Sequence, residues 1–520
     1  MVRWPTILAS ALAPLLSLPA PFPVAGRSAP PGATRAADQD GEQEGADLDD
    51  LKRTLRTDRP EKRRVAVKRL AERGEREAWQ LVIEALEDRK AEVADEAQFQ
   101  LAGLDDEKLL RALFGRGGLR AKDPWVRLRV AEAFGRMRRE IDGTELLSHV
   151  SRGEPELSST LLWSVERLAR SGWLVGDGRK VRRALSDAWS SRAPAGMRAA
   201  ALAALAAIDP EAAAPLVRAG LTERDPLLRV AALEGIDTLG EEGALGACRA
   251  LAGDEDPRVR FQVLDALSAR AAVLGREAAL VLCERLALEQ RPRLRWRALE
   301  ILQRVSGLKH RLDPRPWRLW ASELAPDWRP APAGAVTELG SRTVAFAGMP
   351  VLSDRVCFLV DFSGSLWYER EGRPPRKLAV DARLREVLPA LPEEALFNVV
   401  PYTEQPHPWM EGLVASTPAN VRRALAWFER CTERGTGNFF DAALLALADP
   451  HVDTIVVLTD GAPTGGRRWK LELMMPLLVE ANRYRKVVFD SIVVDAQPGL
   501  RKHWTWLAQA TGGRSIAIEL

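Results

Sequence analysis

The feature that most constrains the fold is a proline that recurs through the first three hundred positions of this 520-residue chain. Each proline precedes an apolar stretch with helical spacing, as in RDPLLRVAALEGI and EDPRVRFQVLDAL. The anchoring prolines are Pro60, Pro124, Pro155, Pro194, Pro226, Pro257 and Pro292. Successive anchors differ by 64, 31, 39, 32, 31 and 35 positions, and Ala91 holds the missing anchor inside the first gap. Residues 51–307 are therefore predicted to form eight helical units.

The residues around each anchor are those that the start of a helix favours. Proline at the first helical position loses no hydrogen bond, and an aspartate before it can cap the helix. One such unit cannot bury its wide apolar face alone, so neighbouring units must stack. The units resemble HEAT repeats, and this resemblance implies an α-solenoid.

An arginine follows several anchors at a fixed distance of three residues. Because its spacing follows the repeat, we interpret it as structural rather than as a nucleic-acid contact. We predict an Asp–Arg ladder between repeats. Its members are Asp123, Asp225 and Asp256 together with Arg127, Arg229, Arg260 and Arg295.

A buried strand that ends in an acid opens the C-terminal part. The run VCFLV at 356–360 is typical of a strand buried on both faces of a parallel sheet, and Asp361, Ser363 and Ser365 follow it. A second apolar run, TIVVLT, ends at Asp460. Ligand sites in such sheets lie just beyond the carboxyl ends of the strands, and hard oxygen ligands suit Mg²⁺. The sequence therefore predicts a divalent-cation site there, with Asp361 at a solvent-facing strand end.

These residues resemble the von Willebrand factor type A family. Asp361, Ser363 and Ser365 match its DxSxS metal-ion-dependent adhesion motif, and Asp460 matches the acid of a later strand. The resemblance covers about residues 340–520. It implies a doubly wound, Rossmann-like α/β domain with bound Mg²⁺, or Mn²⁺ or Ca²⁺, whose open coordination position takes a carboxylate of a partner protein.

The resembled family also supplies a threonine ligand from a G-T-N-x-x-D-A loop. Here the loop reads GTGNFFDA, and alignment on Asn438 and Asp441 puts Gly437 at the threonine position. Thr436 lies one residue early, and we predict it as the fifth ligand from a shifted loop.

The remaining C-terminal sequence alternates strand and helix, which indicates a parallel sheet covered on both faces. The predicted strands lie near 355–361, 397–402, 454–460, 487–495 and 515–520, and the predicted helices near 376–390, 418–431, 438–448, 468–484 and 500–510. The predicted domain spans 346–520. We expect two rigid bodies, the repeats and this domain, joined near 308–345.

The N-terminus has features of a secretory signal. Arg3 precedes an apolar segment at 7–18, and small residues lead to a cleavage site near Gly26. We predict a signal peptide over 1–26 and export to the periplasm or outside the cell; a disordered tail or a short membrane anchor is the alternative. Residues 27–50 are acidic and are predicted to form a disordered linker. No later stretch is long and apolar enough to span a bilayer.

The connector at 308–345 carries Trp317, Trp320 and Trp328 among prolines. We interpret these tryptophans as a hydrophobic cap on the last repeat or a brace between domains; a peptide-binding aromatic groove is the alternative. Cys248 and Cys283 each lie nine residues before the next anchor. Stacked helices are about 8–10 Å apart, whereas disulfide-bonded Cα atoms are closer than about 7 Å, so we predict that these thiols stay unbridged.

Two functions follow, and neither is enzymatic. The five histidines are scattered, and the sequence has no HExxH or GxSxG motif. The net charge of +3 is too small to indicate nucleic acid as a partner. The first prediction is an exported adhesion or interaction scaffold whose metal site holds an acidic side chain of a partner protein. The alternative, by analogy with the resembled family, is an adaptor for an ATPase-driven metal-insertion or complex-remodelling machine, which a cytoplasmic location would favour.

Overall fold

The structure is a computed structural model that describes residues 2–3, 47–190, 192–330, 344–367, 375–495 and 497–519. Most of the predicted signal peptide and linker therefore lies outside the described residues, as do residues 331–343 of the connector. Val2–Arg3 form a short strand that pairs antiparallel with Leu174–Gly176. The first helix begins at Leu48, so the last residues of the predicted linker are helical.

The described residues from 48 to 322, here called the repeat region, are almost entirely helical. The helices are α1 (Leu48–Thr57), α2 (Pro60–Arg73), α3 (Arg76–Glu84), α4 (Ala91–Gln100), α5 (Glu107–Leu113), α6 (Pro124–Phe134), α7 (Gly143–Ser148), α8 (Pro155–Ser171), α9 (Gly178–Ser190), α10 (Ala195–Ile208), α11 (Pro210–Gly220), α12 (Pro226–Glu234), α13 (Gly240–Leu251), α14 (Pro257–Ala269), α15 (Ala271–Leu274), α16 (Arg276–Leu288), α17 (Pro292–Ser306) and α18 (Pro314–Ser322). Short 3-10 helices lie at Ala85–Glu87, Leu101–Gly103 and Ile236–Leu239. Short strands lie at β1 (Val2–Arg3), β2 (Ile141–Asp142) and β3 (Leu174–Gly176).

All eight predicted anchors mark a helix start. Seven helices begin at the anchor itself, and α10 begins at Ala195, directly after Pro194. The aspartate before the proline acts as a cap: the carboxylate of Asp225 accepts a hydrogen bond from the backbone N–H of Leu227, and Asp123 and Asp256 accept equivalent bonds. The apolar faces of the stacked helices form two continuous hydrophobic cores. The repeat prediction is therefore confirmed.

The predicted Asp–Arg ladder exists with different acids. Arg229 donates two hydrogen bonds of 2.8 Å to Asp254, which lies three residues before the next anchor, and Arg260 pairs with Glu289 in the same way. Arg63–Asp88 and Arg198–Glu223 also use an acid three residues before the next anchor, whereas Arg127 pairs with Glu154, directly before Pro155. The aspartates before the prolines were the wrong partners because their carboxylates are used as helix caps.

The connector tryptophans close the last repeat. Trp317 is fully buried in the same core as α16 and α17, and its ring is edge-on to Trp320, which is in turn edge-on to Trp328. Its indole N–H donates to the carbonyl of Arg311 at 2.8 Å. These contacts confirm the hydrophobic cap. Cys248 and Cys283 are buried and free, as predicted.

Residues 344–519, here called the sheet domain, form a doubly wound α/β fold. The strands are β4 (Ala345–Phe346), β5 (Met349–Pro350), β6 (Arg355–Asp361), β7 (Leu396–Tyr402), β8 (Val414–Ala415), β9 (Thr454–Thr459), β10 (Val488–Val494) and β11 (Ser515–Ile518). The helices are α19 (Arg376–Val387), α20 (Pro418–Arg430), α21 (Phe439–Ala448), α22 (Leu471–Asn482) and α23 (Pro498–Ala510), with 3-10 helices at Gly364–Leu366 and Leu388–Ala390. The five predicted strands and five predicted helices are all observed, and their ends lie within three residues of the predicted positions.

The predicted site lies at the point in the sheet where the strand order reverses. The main sheet runs β11-β10-β9-β6-β7-β8; β8 is antiparallel to β7, and the other neighbours are parallel. From the central strand β6 the chain moves first to β7 on one side and later to β9 on the other. In such sheets the crevice beyond the carboxyl ends of the two central strands is the usual ligand position.

The repeat region and the sheet domain also contact each other directly. Ion pairs join basic residues of the sheet domain to acids on the anchored helices, namely Arg468 to Asp95, Lys470 to Glu96, Arg483 to Glu166 and Glu234, Lys486 to Glu234, and Arg514 to Glu300. Tyr484 and Val488 of the sheet domain belong to the hydrophobic core of the later repeats. Within the described residues, none of the helices has the length and apolar character needed to cross a bilayer.

Candidate functional site

The carboxylate of Asp361 is held at the end of β6 by hydrogen bonds from two directions. The backbone N–H of Ser363 donates to Oδ1 at 2.9 Å, and the hydroxyl of Thr459 donates to Oδ2 at 2.8 Å. The Thr459 hydroxyl in turn accepts from the N–H of Gly461 at 3.0 Å. These bonds fix Asp361 between the first residues after β6 and the last residue of β9.

We expected Asp361 to face solvent. This expectation was wrong, because the residue is only 3% exposed. Burial, followed by the nearby charge of Asp460, raises the pKa of Asp361 to about 6. The loop residues that cover the strand end remove water from the carboxylate, which sequence alone did not indicate. The two acids of the predicted site therefore lie close enough to repel each other.

The loop of residues 435–438 lies directly beside the Asp361 loop. Ser363 and Gly435 form an isolated parallel bridge, and the N–H of Gly364 donates to the carbonyl of Gly435 at 3.2 Å. A Cβ atom built on Gly437 would lie 3.2 Å from Oδ1 of Asp361, so the backbone of this glycine lies tightly against the carboxylate. The side chain of Thr436 packs instead against Gly465, where an added Cβ atom would overlap its hydroxyl.

The guanidinium group of an arginine lies beside Asp460. The guanidinium of Arg376, at the start of α19, lies 3.8 Å from Oδ2 of Asp460 and donates to Oδ2 of Asp495 at 2.8 and 3.1 Å. Asp495 directly follows β10. The carboxyl ends of β6, β9 and β10 thus present three acids, and one arginine partly neutralises two of them.

The side chain of Ser365 lies outside the described part of the chain; its backbone belongs to the 3-10 helix Gly364–Leu366. The structure thus brings Asp361, Ser363 and Asp460 to one sheet edge. Across the described ranges, no group of three or more His, Cys, Asp or Glu residues is arranged to hold a metal ion. Any cation site at this edge depends on serine and threonine hydroxyls together with the acids.

Sequence reasoning missed four residues of this edge. Thr459 was read only as part of an apolar strand, although a hydroxyl directly before the acid of β9 was a usable signal. Arg376 and Asp495 lie 119 positions apart, and nothing local in the sequence pairs them. The hydroxyl of Thr464, which accepts from the N–H of Gly437 at 2.8 Å, was likewise not predicted.

Comparisons with known proteins match both halves of this architecture. Residues 215–303 match the family model described as HEAT repeats. A protein of Mus musculus, "Inter alpha-trypsin inhibitor, heavy chain 4", is 28% identical over 130 residues, which are 23% of this chain and 13% of that protein. The human "von Willebrand factor A domain-containing protein 3A" is 28% identical over 114 residues, 22% of this chain and 9% of that protein.

A solved structure, "von Willebrand factor type A from Catenulispora acidiphila", is similar at 20% identity and a TM-score of 0.26 over 33% of this chain and 40% of that one. The chain is thus similar to HEAT repeats over 215–303, and over less than a quarter of its length to proteins that include a von Willebrand factor A domain-containing protein. It covers well under two thirds of the length of each relative that it matches.

Proposed function

We propose that the sheet domain binds Mg²⁺, or Mn²⁺ or Ca²⁺, at the edge formed by Asp361, Ser363, Ser365 and Asp460, and that the cation engages a carboxylate of a partner protein. The chain then acts as a non-enzymatic interaction scaffold, with the HEAT repeats as its second surface. The observation that carries this proposal is the pair of acids at the switch point of the sheet, where Asp361 is buried beside Asp460.

The donor chemistry fits a hard divalent cation. A buried carboxylate whose pKa is raised by burial and by a second acid gains from any cation placed near both groups. Hydroxyl and carboxylate oxygens are the ligands that Mg²⁺ accepts while it keeps several waters.

Thr436 remains the predicted fifth ligand, but its packing against Gly465 supports a different arrangement. In that arrangement Gly437 occupies the threonine position, and a water fills the place of the missing hydroxyl. Thr436→Ala separates the two possibilities: loss of cation binding supports ligation by Thr436, and unchanged binding supports the water.

The test is a titration of the full-length protein with Mg²⁺, followed by calorimetry and by thermal unfolding. A ligand that binds only the folded state raises the melting temperature by mass action. Asp361→Asn and Asp460→Asn should each abolish the heat of binding and the thermal shift. If the wild-type protein shows neither signal with Mg²⁺, Mn²⁺ or Ca²⁺, the proposal fails.

Asp453→Asn is the matched control. Asp453 is half-buried, and desolvation raises its pKa to about 6, as for Asp361, but it directly precedes β9 and so lies at the opposite end of the sheet. Its substitution removes an acid whose pKa is raised in the same way without touching the proposed site. Cation binding should therefore survive in this variant.

One observation favours the alternative function, that of an adaptor for an ATPase-driven machine. Val2–Arg3, inside the predicted signal peptide, pair with β3 of the repeat region, and this pairing requires a chain that keeps its N-terminus. Mass spectrometry of the N-terminus of the native protein separates the two functions. A mature chain that starts near residue 27 supports the exported scaffold, and a chain that retains residues 2–3 in the cytoplasm supports the adaptor.

A further inference from the structure

One loop joins the candidate cation edge to the repeat region. Residues 461–470, here called the coupling loop, follow Asp460 directly and end at the start of α22. The first half of this loop contacts the residues beside Asp361, and its last three residues contact the anchored helix α4. Through this double contact the loop links the candidate cation edge to α4 by hydrogen bonds and ion pairs.

The site side of the coupling loop is tightly packed. The N–H of Gly437 donates to the hydroxyl of Thr464 at 2.8 Å, and the N–H of Thr464 donates to the carbonyl of Gly437 at 3.2 Å. Gly465 and Gly466 lie so close to the side chains of Thr436 and Asn438 that a Cβ atom on either glycine would overlap them. The position of Gly437 beside Asp361 is therefore set by the coupling loop.

The repeat side is held by one buried carboxylate. Oδ2 of Asp95 accepts hydrogen bonds from the backbone N–H groups of Trp469 at 2.6 Å and Lys470 at 3.0 Å. Its Oδ1 lies 3.4 Å from the guanidinium of Arg468 and accepts from Arg129. Asp95 thus receives four donors, three of which belong to the coupling loop.

Further contacts hold the coupling loop against α4. The side-chain oxygen of Gln98 accepts from Arg468 at 2.5 Å, and the ammonium of Lys470 pairs with Glu96 at 2.7 Å. Asp95 is completely buried; burial opposes its ionisation, but Arg129 and Arg468 outweigh it and lower the pKa of Asp95. A buried charge that loses its partners is strongly unfavourable, so the loop has one preferred position on α4.

We infer that Asp95 of the repeat region is a positioning residue for the cation site of the sheet domain, and that it acts through the coupling loop. This inference rests on the proposed function. Coupling between two sites is reciprocal, so a cation or a partner carboxylate at the sheet edge also strengthens the contact between the coupling loop and α4. The HEAT repeats are in this way part of the site and not only a neighbouring surface.

The first test compares two variants of the full-length protein that each remove one acid from the interface. Asp95→Asn frees the coupling loop, whereas Glu234→Gln removes the partner of Arg483 and Lys486, which are not in the loop. Titration with MgCl₂ should show affinity weaker by about tenfold in Asp95→Asn, within the usual range for coupled sites, and unchanged affinity in Glu234→Gln. Equal affinity in wild type and Asp95→Asn, or equal weakening in both variants, overturns the inference.

A milder variant guards against a general loss of structure in Asp95→Asn. Arg468→Gln removes one donor from the loop but leaves Asp95 paired with Arg129. It should weaken Mg²⁺ binding in the same direction and by less. If Arg468→Gln is folded and binds Mg²⁺ as the wild type does while Asp95→Asn is unfolded, the positioning role is rejected.

Hydrogen exchange tests, in the absence of any cation, whether Asp95 holds the coupling loop in place beside Gly437. The amides of Gly437 and Thr464 are bonded across the coupling loop, so peptides that contain them should exchange faster in Asp95→Asn and at the wild-type rate in Glu234→Gln. This readout separates two failures. If the wild type binds no Mg²⁺ but exchange is faster in Asp95→Asn, the proposed function fails and the coupling stands; if exchange is unchanged, the coupling fails whatever the cation result.

Discussion

A Cβ atom on Gly437 would lie 3.2 Å from the Oδ1 atom of Asp361. The residue that aligns with the threonine of the resembled family is therefore a glycine against this carboxylate, in a backbone conformation outside the left-handed region. The neighbouring Thr436 has its side chain turned to Gly465. Gly437, which has no side-chain oxygen, is thus the residue of this loop that lies beside the buried acid.

The first prediction is that Gly437→Ser strengthens cation binding. The new Cβ atom would lie 3.2 Å from Oδ1 of Asp361, a tight contact that a small shift of the carboxylate relieves, and the new hydroxyl would replace a water ligand. We expect about tenfold tighter binding of Mg²⁺, which corresponds to about 1.4 kcal/mol. Calorimetry of the full-length variant measures it. Gly499→Ser, where a Cβ atom meets nothing within 4 Å, is the control and should bind as the wild type does; weaker binding in Gly437→Ser would contradict the placement.

The second prediction concerns the guanidinium of Arg376, which lies 3.8 Å from Asp460 and is shared with Asp495. A positive charge next to an acid of the site opposes a divalent cation. Two unit charges at about 4 Å interact by up to about 4 kcal/mol at an effective dielectric constant of 20, and the sharing with Asp495 reduces this. Arg376→Gln should therefore bind Mg²⁺ about tenfold more tightly.

The control for that variant lies on the same helix. Arg383 forms an exposed ion pair with Glu386, and an exposed pair of this kind contributes little. Arg383→Gln should leave the Mg²⁺ affinity unchanged. A weaker affinity in Arg376→Gln would mean that Arg376 orients Asp460 for the cation and does not compete with it.

Local sequence was sufficient to predict the elements and insufficient to predict what joins them. Proline spacing and apolar periodicity gave all eight anchored helices and the five main strands, because both signals depend on residues close together in the chain. The ladder acids were misassigned because a cap and an ion pair both use aspartate near a helix start. Arg229 selects Asp254 only after the repeats stack, and no local pattern contains that choice.

The sequence contains a weak signal for the contact between the repeat region and the sheet domain, which the sequence analysis did not use. Several acids lie eight residues after an anchoring proline and therefore share one face of successive helices, namely Glu132, Glu234, Asp265 and Glu300. Glu234 and Glu300 contact basic residues of the sheet domain. The burial of Asp361 had no signal at all, because it depends on where the loops of 435–438 and 461–470 fold over the strand end.

The third prediction is a pH dependence of the interface at Glu166. Burial opposes ionisation of Glu166, but Arg483 and Arg170 outweigh it and hold its pKa down at about 2, against an ordinary value of 4.5. Above pH 4.5 both folded and unfolded chains are ionised at this residue, and its stabilisation is complete. Between pH 4.5 and 2 the unfolded chain takes up the proton first, so the stabilisation is lost as the pH falls.

Glu166→Gln isolates this contribution. At 1.36 kcal/mol per pKa unit, the ionised Glu166 contributes about 3 kcal/mol to the free energy of unfolding at neutral pH. The difference in stability between wild type and Glu166→Gln, from urea unfolding at a series of pH values, should be largest above pH 4.5 and should shrink toward pH 2. A difference that does not change over this range would show that the Arg483 pair does not lower the pKa of Glu166.

The last prediction distinguishes two arginines that occupy the same position in different repeats. Arg229 and Arg295 each lie three residues after an anchoring proline. Arg229 makes a two-pronged pair with Asp254, and both side chains are nearly buried; Arg295 has no ion-pair partner among the described residues. Breaking a buried pair by removing one member leaves an uncompensated charge and typically costs about 3–5 kcal/mol. Arg229→Ala should therefore lower the free energy of unfolding of the repeat region by about 3 kcal/mol and Arg295→Ala by less than about 1 kcal/mol, as measured by urea unfolding. Equal losses would show that the arginines act through the packing of their alkyl chains and not through the ladder.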